Sequence, residues 1–169
     1  RTFDASLLTA ACAAGVRHTR SNVARVIRGR DRWESPTRSG EVFLSRWLVE
    51  ATGRSASVAR QFGVPRIRDE GLIALCGVGS LRRGERFDRT LIEAVAEGWW
   101  YGAVLPDEMP MLVLHVGPEA AQSARRDWLG CLRRTAFVRE FFSPSGFSDR
   151  LMIVDAAGGR LRRFHGTKC

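Results

Sequence analysis

The chain has 169 residues, 44% of them hydrophobic, which suffices for a buried core and argues against wholesale disorder. No stretch approaches the roughly 20 apolar residues of a membrane helix, and the first residues show no signal-peptide pattern, so the sequence predicts a soluble, cytoplasmic protein. The net charge of +9 favours an anionic partner, but the arginines are spread along the chain instead of collecting on one helix or loop, so nucleic-acid binding is only the alternative function.

The first part of the chain predicts a helix followed by short strands and a second helix. Residues Phe3 to Ala14 place apolar side chains at helical spacing. The segment Val16 to Ile27 has a strand-like rhythm, and Val42 to Val49 is dense in β-branched and aromatic residues, so both predict strands. A short helix capped by Ser55 then ends at Gly63.

The second part predicts an antiparallel sheet, because four strand candidates follow one another without intervening helices. They are Leu72 to Val78, Thr90 to Ala96, Trp99 to Leu105 and Met111 to Val116. A helix is predicted from Pro118 to Arg134, and Leu151 to Val154 predicts a strand.

The cysteines and histidines show no pattern of a metal site or a disulfide framework. The four cysteines are far apart and contain no C-x-x-C pair, and the three histidines are scattered without nearby carboxylate pairs. The sequence therefore predicts no metal ligand, and no residue is assigned as a catalytic acid or base.

Three segments carry recognisable motifs. Arg1 to Gly15 reads R-x-F-D-x-x-L followed by small residues, and Trp47 to Gly63 combines a strand, an A-T-G turn and the helical run S-V-A-R-Q-F-G. Glu97 to Pro106 contains G-W-W-Y-x-x-x-L-P. In this order the motifs resemble those of FAD-dependent oxidoreductases of the aromatic-hydroxylase and tryptophan-halogenase-like group, and the resemblance runs over essentially the whole chain.

The resemblance implies a set of FAD-binding residues. Arg1 would lie close to the flavin, main-chain groups of Val23 would meet the adenine, and the turn of Ala51, Thr52 and Gly53 would lie near the ribose and pyrophosphate. A glycine directly after a strand lets a ligand approach the backbone, and the following helix start offers N–H groups to an anion. The alternative interpretation is structural: a frayed terminal arginine, a core valine and a plain strand-to-helix turn.

The resemblance also implies a substrate-binding strand. Trp99, Trp100 and Tyr101 alternate between the two faces of a strand, so one face would line a substrate cavity while the other packs in the core. Halogenases of the group carry W-x-W-x-I-P here, and Lys168, the only lysine, does not match their catalytic lysine. Halogenation is therefore not predicted from the residues.

Two flavin motifs of the group are absent from the chain. Neither G-x-G-x-x-G nor G-D-A-x-x-x-x-D-P occurs, so we expect an internal fragment that is inactive alone. The predicted fold is mixed α/β (α+β): a partial FAD-binding, Rossmann-like half at 1–66, a mostly antiparallel substrate-domain sheet with flanking helices at 67–150, and a return segment at 151–169.

The whole protein would bind FAD noncovalently and oxidise an aromatic or amine substrate, as a monooxygenase or a halogenase-like enzyme. NAD(P)H is the reductant that the resemblance suggests. Maturation of a quinone cofactor, which some halogenase-like relatives perform, is an open alternative.

Overall fold

The structure, a computed structural model, describes residues 2–81, 87–106, 108–148 and 150–163. The chain forms two compact units: unit 1 comprises 1–66 and 161–169, and unit 2 comprises 67–160. Helices and antiparallel sheets are combined, so the predicted mixed fold is confirmed. Within the described ranges no helix is long and apolar enough to cross a bilayer.

Unit 1 begins with the predicted helix, α1 (Thr2–Ala13), none of whose side chains is buried. Its apolar residues face outward: Phe3 is 72% exposed and Leu7 is 55% exposed. Three short strands follow, β1 (Ile27–Arg28), β2 (Trp33–Pro36) and β3 (Val42–Ser45), which pair antiparallel in that order.

Two strand predictions in unit 1 are wrong in extent. Over 16–26 the backbone makes one isolated bridge, between Val23 and Thr37, and no strand. A side chain from elsewhere in the unit takes backbone groups that a ladder would need: Gln61 accepts from Val26 N at 2.9 Å and donates to Val26 O. β3 ends at Ser45, and residues 46–49 have no regular structure.

The second helix of unit 1 is short. A 3-10 turn at Gly53–Ser55 leads into α2 (Ser57–Gln61), and the chain then reaches β4 (Arg66–Arg68). β4 pairs with β10 (Gly159–Leu161) as a two-stranded sheet. The helix predicted up to Gly63 is therefore confirmed as an element, with a different start.

Unit 2 is built on a five-stranded sheet. Its strands are β5 (Ile73–Val78), β6 (Leu91–Val95), β7 (Gly98–Val104), β8 (Pro110–Val116) and β9 (Met152–Asp155). Their order is β6-β7-β8-β5-β9, and every neighbouring pair is antiparallel. The four predicted strands are confirmed, and none of the described residues between them is helical.

Three helices follow β8 in unit 2: α3 (Pro118–Arg126), α4 (Trp128–Arg133) and α5 (Val138–Phe141). The single helix predicted up to Arg134 is wrong, because Asp127 leaves the helical region at φ −121° and ψ 41°. After this break Trp128 is buried, with its ring centroid 5.1 Å from that of Trp100. The break therefore lets α4 supply a large aromatic side chain to the core.

The core of unit 2 lies on one face of this sheet. Trp100, Leu112 and Leu114 are completely enclosed, and aromatic side chains from the helical segment pack with them. Gly102 sits on β7 directly beneath one of these rings: a Cβ there would meet Phe142 Cε2 at 2.9 Å. The small residue therefore allows the ring of Phe142 to approach the sheet closely.

A buried carboxylate joins the sheet to α5. Glu93 of β6 accepts backbone N–H bonds from Ala136 at 2.5 Å, Phe137 at 3.0 Å and Val138 at 2.8 Å. These N–H groups lie at the start of α5, where a helix leaves its donors without intrahelical partners. Glu93 therefore supplies, from a distant part of the chain, the acceptors that α5 needs.

Candidate functional site

Unit 1 contains a cleft of about 600 Å³. Its walls are Ser21 to Val26, Ser35, Arg38, Leu48 to Glu50, Thr52, Ser55, Ser57, Val58 and Gln61. Two of the residues predicted to bind FAD, Val23 and Thr52, line this one cleft although they are 29 positions apart in the sequence. Ala51 and Gly53 flank Thr52 in the chain. We call this feature the unit 1 cleft.

Val23 lines the unit 1 cleft and has two main-chain groups that bond to no described residue. On either side of the Val23–Thr37 bridge, Ala24 N donates to Pro36 O at 2.9 Å and Arg38 N donates to Asn22 O at 2.9 Å. In this antiparallel arrangement the N–H and C=O of Val23 itself point away from the paired strand. Neither group bonds to any residue that the structure describes. A ligand with one donor and one acceptor side by side would satisfy both.

Glu50 organises the opposite wall of the unit 1 cleft. Its carboxylate accepts from Thr52 Oγ1 at 2.7 Å, Val58 N at 2.8 Å and Ala59 N at 2.8 Å. Thr52 Oγ1 in turn accepts from Ser57 N at 3.1 Å. The first N–H groups of α2 are therefore satisfied by side chains of the segment that leads into the helix.

This arrangement corrects two expectations. The helix start was expected to offer free N–H groups to a phosphate, but Glu50 and Thr52 already occupy them. Ser55 was expected to cap the helix, but its hydroxyl donates to Thr52 O at 2.8 Å within the preceding turn. A carboxylate at this position also repels an anion, so the start of α2 is not a phosphate site.

The environment of Glu50 keeps it ionised. Desolvation raises the pKa of the carboxyl, but the hydrogen bonds from Thr52, Val58 and Ala59, with the charge of Arg60, outweigh desolvation and leave the pKa below its ordinary value. A charged acceptor in this position holds α2 against the cleft wall at neutral pH.

Gly53 is required by backbone conformation. Its φ of +63° lies in the left-handed region that residues with a Cβ rarely adopt. A Cβ at this position would meet nothing within 4 Å, so the glycine does not serve close packing within the protein. It turns the chain from Thr52 into the 3-10 turn and leaves the space above its own backbone open.

Gln61 ties α2 to the strand-like wall of the unit 1 cleft. Its side-chain oxygen accepts from Val26 N at 2.9 Å, and its amide nitrogen donates to Val26 O. Both main-chain groups of this buried residue are therefore paired by one side chain. The two walls that carry Val23 and Thr52 are thus held together by a direct contact.

The positive charge of the chain is concentrated in unit 1. Unit 1 contains fifteen Lys and Arg against five Asp and Glu, whereas unit 2 contains twelve against thirteen. The surplus of +9 therefore comes entirely from unit 1. Arg25 and Arg38 line the unit 1 cleft, and neither guanidinium has a hydrogen bond or ion pair with a described residue.

In unit 2 the three aromatic residues predicted to bind substrate divide between the two faces of the sheet. Trp100 is enclosed in the core, so a substrate contact is retained as a proposal only for Trp99 and Tyr101, which are half-buried on the other face. His115 on the adjacent strand stacks on Trp99, with ring centroids 3.7 Å apart and planes 8° apart. We call Trp99, Tyr101 and His115 the aromatic face.

The aromatic face presents a neutral imidazole. Burial lowers the pKa of His115 below its ordinary value, so the ring is uncharged at physiological pH. Its Nδ1 is buried and has no hydrogen-bond partner among the described side chains and backbone. The accessible part of the face is therefore flat aromatic surface, and the unpaired polar atom lies beneath it. In the described part of the chain no three His, Cys, Asp or Glu side chains form a group that could hold a metal ion.

The remaining predicted residue, Arg1, lies outside the described residues. Sequence reasoning missed Glu50 and Gln61, which organise the unit 1 cleft. One sequence signal could have indicated Glu50. A carboxylate directly before the Ala51-Thr52-Gly53 turn can accept from the N–H groups of the helix that follows the turn.

No protein-family model and no curated protein matches the chain. Solved structures do match. The flavin-dependent halogenase CmlS superposes with a TM-score of 0.73 at 20% identity, over 95% of this chain and 32% of that protein. The myxobacterial chondrochloren halogenase CndH, described as a variant of FAD-dependent halogenases, superposes with a TM-score of 0.72 at 20% identity, over 99% of this chain and 43% of that protein.

A third matching structure is that of a dihydroxylase and not of a halogenase. The peptidyl tryptophan dihydroxylase QhpG, described as essential for tryptophylquinone cofactor biogenesis, superposes with a TM-score of 0.62 at 20% identity, over 94% of this chain and 36% of that protein. The chain thus has the fold of a section of flavin-dependent halogenases and related hydroxylases, and it spans less than half the length of these structures. The fold that the motifs imply is confirmed.

Proposed function

We propose that this chain is the middle section of a FAD-dependent oxidoreductase of hydroxylase or halogenase-like type, acting on an aromatic or amine substrate. The unit 1 cleft would hold the adenosine end of FAD. The observation that carries the proposal is the free main-chain N–H and C=O of Val23 on a cleft that Thr52 also lines. Adenine presents a ring-nitrogen acceptor next to its amino donor, which matches one N–H and one C=O.

The other FAD-binding residues have distinct roles in this proposal. The Ala51, Thr52 and Gly53 turn would lie along the ribose, where the left-handed backbone at Gly53 leaves room for a ligand. Arg1 would lie nearer the flavin, as the family resemblance implies. When bound, the flavin supplies the electron and oxygen chemistry, so these residues bind and orient it and need no acid or base of their own.

The aromatic face of unit 2 would contact the substrate. Trp99 and Tyr101 offer planar apolar surface with polar edges, which suits an aromatic substrate. NAD(P)H would be the reductant, as the family resemblance implies. The nucleic-acid alternative has no support from the structural matches.

The adenosine proposal is tested by titrating the isotope-labelled chain with ADP, which is the adenosine diphosphate half of FAD, and following backbone amide signals by NMR. We expect shifts at Val23, Thr52 and Gly53 and none in the sheet of unit 2. Binding should be weak, and purified chain should retain no flavin, because the two flavin motifs absent from the sequence cannot contribute. Shifts confined to other residues, or no shifts at millimolar ADP, would rule the proposal out.

A pair of variants tests the main-chain contact directly. Val23→Pro removes the N–H, whereas Val23→Ala keeps the N–H and changes only the side chain. We expect ADP affinity to fall several-fold in Val23→Pro and to stay near the wild-type value in Val23→Ala. Equal affinities in the two variants would show that the N–H of Val23 has no part in binding.

The substrate proposal has its own readout. Titration with indole should shift the side-chain N–H signal of Trp99, on the aromatic face, and leave that of Trp100 in place. Movement of the Trp100 signal alone would place the ligand elsewhere.

A further inference from the structure

We propose that the ring of the substrate stacks on the open face of Trp99, in the space above Ala94, so that Ala94 determines which substrates fit. We call this space the Ala94 slot. The inference rests on the proposed function, since it concerns the same aromatic face of unit 2, and it narrows the substrate to an uncharged planar ring.

One face of the Trp99 ring is covered by His115. The two residues are directly paired across β7 and β8, and their rings stack with centroids 3.7 Å apart and planes 8° apart. Because the planes are nearly parallel and the separation is that of ring contact, the line joining the two centroids runs along the normal of each ring. This line leads from β7 to β8. Trp99 therefore turns its second face away from β8 and towards β6.

The residue beside this second face is small. β6 pairs with β7 in the register Ala94 to Trp99 and Ile92 to Tyr101, so Ala94 is the cross-strand neighbour of Trp99 on the side opposite His115. Ala94 is exposed and lies on an outer strand of the sheet, so no further strand crowds this position. In the described part of the chain no aromatic ring other than that of His115, and no arginine, stacks on Trp99.

The strand spacing suits one aromatic ring in the Ala94 slot. Neighbouring strands lie about 4.8 Å apart, and the position of His115 shows that a ring above the next strand reaches stacking contact with Trp99. A ligand ring above β6 would take the corresponding position on the other side, which the methyl group of Ala94 is too short to fill. Stacking there would extend the pair to three rings and add dispersion contacts.

The surroundings of the slot favour an uncharged ligand. The strand register places only uncharged side chains on this face of the sheet, including His115, whose pKa is lowered by burial, whereas the opposite face carries Glu93 and Asp155. A sheet face turned to water normally bears polar residues, so this one is suited to contact with an apolar group. A charged ligand would lose hydration there without gaining an ionic partner.

The test titrates the isotope-labelled chain with indole and records nuclear Overhauser effects between indole protons and alanine methyl groups. We expect contacts to the methyl group of Ala94 and to the ring of Trp99. Ala94→Leu fills the slot and should weaken indole binding about tenfold, as for the loss of a stacked contact, and Ala94→Val should weaken it by a smaller factor.

Two controls accompany these variants. Ala103→Leu adds the same bulk to the same face of β7, four residues from Trp99 and therefore about 13 Å away, and should change indole affinity less than twofold. Cyclohexanol has a ring of similar size that is not planar, so it should bind the wild-type chain much more weakly than indole does.

The outcomes separate the two proposals. If indole shifts the signals of Trp99 or Tyr101 but binds Ala94→Leu as tightly as wild type, the slot is overturned while the substrate contact of the aromatic face stands. Cyclohexanol binding as tight as that of indole would also overturn the stacked geometry. If millimolar indole perturbs no residue of the aromatic face, the proposed substrate contact fails, and the slot fails with it.

Thermal unfolding of each variant checks that it is folded. Should Ala94→Leu fail to fold, Ala94→Val, whose β-branched side chain suits a strand, takes its place. The contacts of indole with the Ala94 methyl group in the wild-type chain decide the assignment independently of any variant, and their absence at saturating indole would overturn it.

Discussion

Unit 1 and unit 2 are stabilised by different kinds of interaction. Unit 2 encloses large apolar side chains, among them Trp100, Leu112, Leu114 and Phe142. Unit 1 buries few side chains, and its longest helix buries none. The parts of unit 1 are connected by polar side chains that bond to the backbone, chiefly those of Glu50 and Gln61. The comparison teaches that unit 2 has a fold maintained by its own core, whereas the conformation of unit 1 depends on a few hydrogen bonds around its cleft.

Among the variants that test this comparison, Trp100→Ala in unit 2 is expected to lower the free energy of unfolding most. Removing a fully enclosed indole leaves a cavity as well as losing apolar burial, so we expect a loss of about 3–5 kcal/mol in the free energy of unfolding. Urea unfolding followed by circular dichroism measures it. Trp99→Ala, on the aromatic face, is the matched control and should lose much less; similar losses would contradict the core assigned to unit 2.

The second-largest loss of stability is expected at Glu93, whose polar side chain is buried in unit 2. Glu93→Gln replaces a buried carboxylate that accepts three backbone N–H bonds with an amide that has one acceptor oxygen and an unwanted donor. We expect a loss of about 1.5–3 kcal/mol. Glu97→Gln removes the same charge from a side chain that is 35% exposed and is the control. Equal melting temperatures for the two variants would show that the three N–H bonds contribute little.

In unit 1, Gln61→Ala should separate the cleft walls. The variant leaves both main-chain groups of the buried Val26 unpaired, which costs about 1–3 kcal/mol. We expect the loss to be local: amide hydrogen exchange should rise at residues 23–26 and 57–61 and stay unchanged in the sheet of unit 2. Uniform acceleration across both units would mean that they unfold together.

Glu50→Gln is expected to have the smallest effect, about 1 kcal/mol, similar to the loss of a helix cap. Because the pKa of Glu50 is lowered in the folded chain, its contribution is fully present above the ordinary carboxyl pKa of about 4.3 and is lost as pH falls through the lower folded value. The exchange rates of α2 in wild type and variant should therefore converge in acid. A difference that persists at pH 2 would contradict the role of the charge.

The sheet of unit 2 was predictable because its signals are local. Turn residues separate β6, β7 and β8, and each strand is a compact run of apolar and aromatic residues, so order and pairing follow from the sequence. The predicted single helix up to Arg134 failed at Asp127, because the break follows from the packing of Trp128 in the core, which no local pattern records.

The site was predictable only in part, because some of its contacts join residues that are distant in the sequence. The Ala51-Thr52-Gly53 turn is a local motif, and the structure has a left-handed glycine there. The interpretation of the helix start failed because Glu50 lies eight and nine positions before the N–H groups it binds, while Ser55 was the nearest residue of the usual capping type. The contact of Gln61 with Val26 spans 35 positions and has no sequence signal.

Glu93 has a consequence for the order in which the chain folds. α5 is a single turn of four residues, too short to persist by itself in water, and its acceptor is supplied from 43 to 45 positions earlier. The turn therefore cannot be an early nucleus. It must form after β6 has been placed in the sheet, so α5 belongs to the late steps of folding, when contacts distant in sequence close.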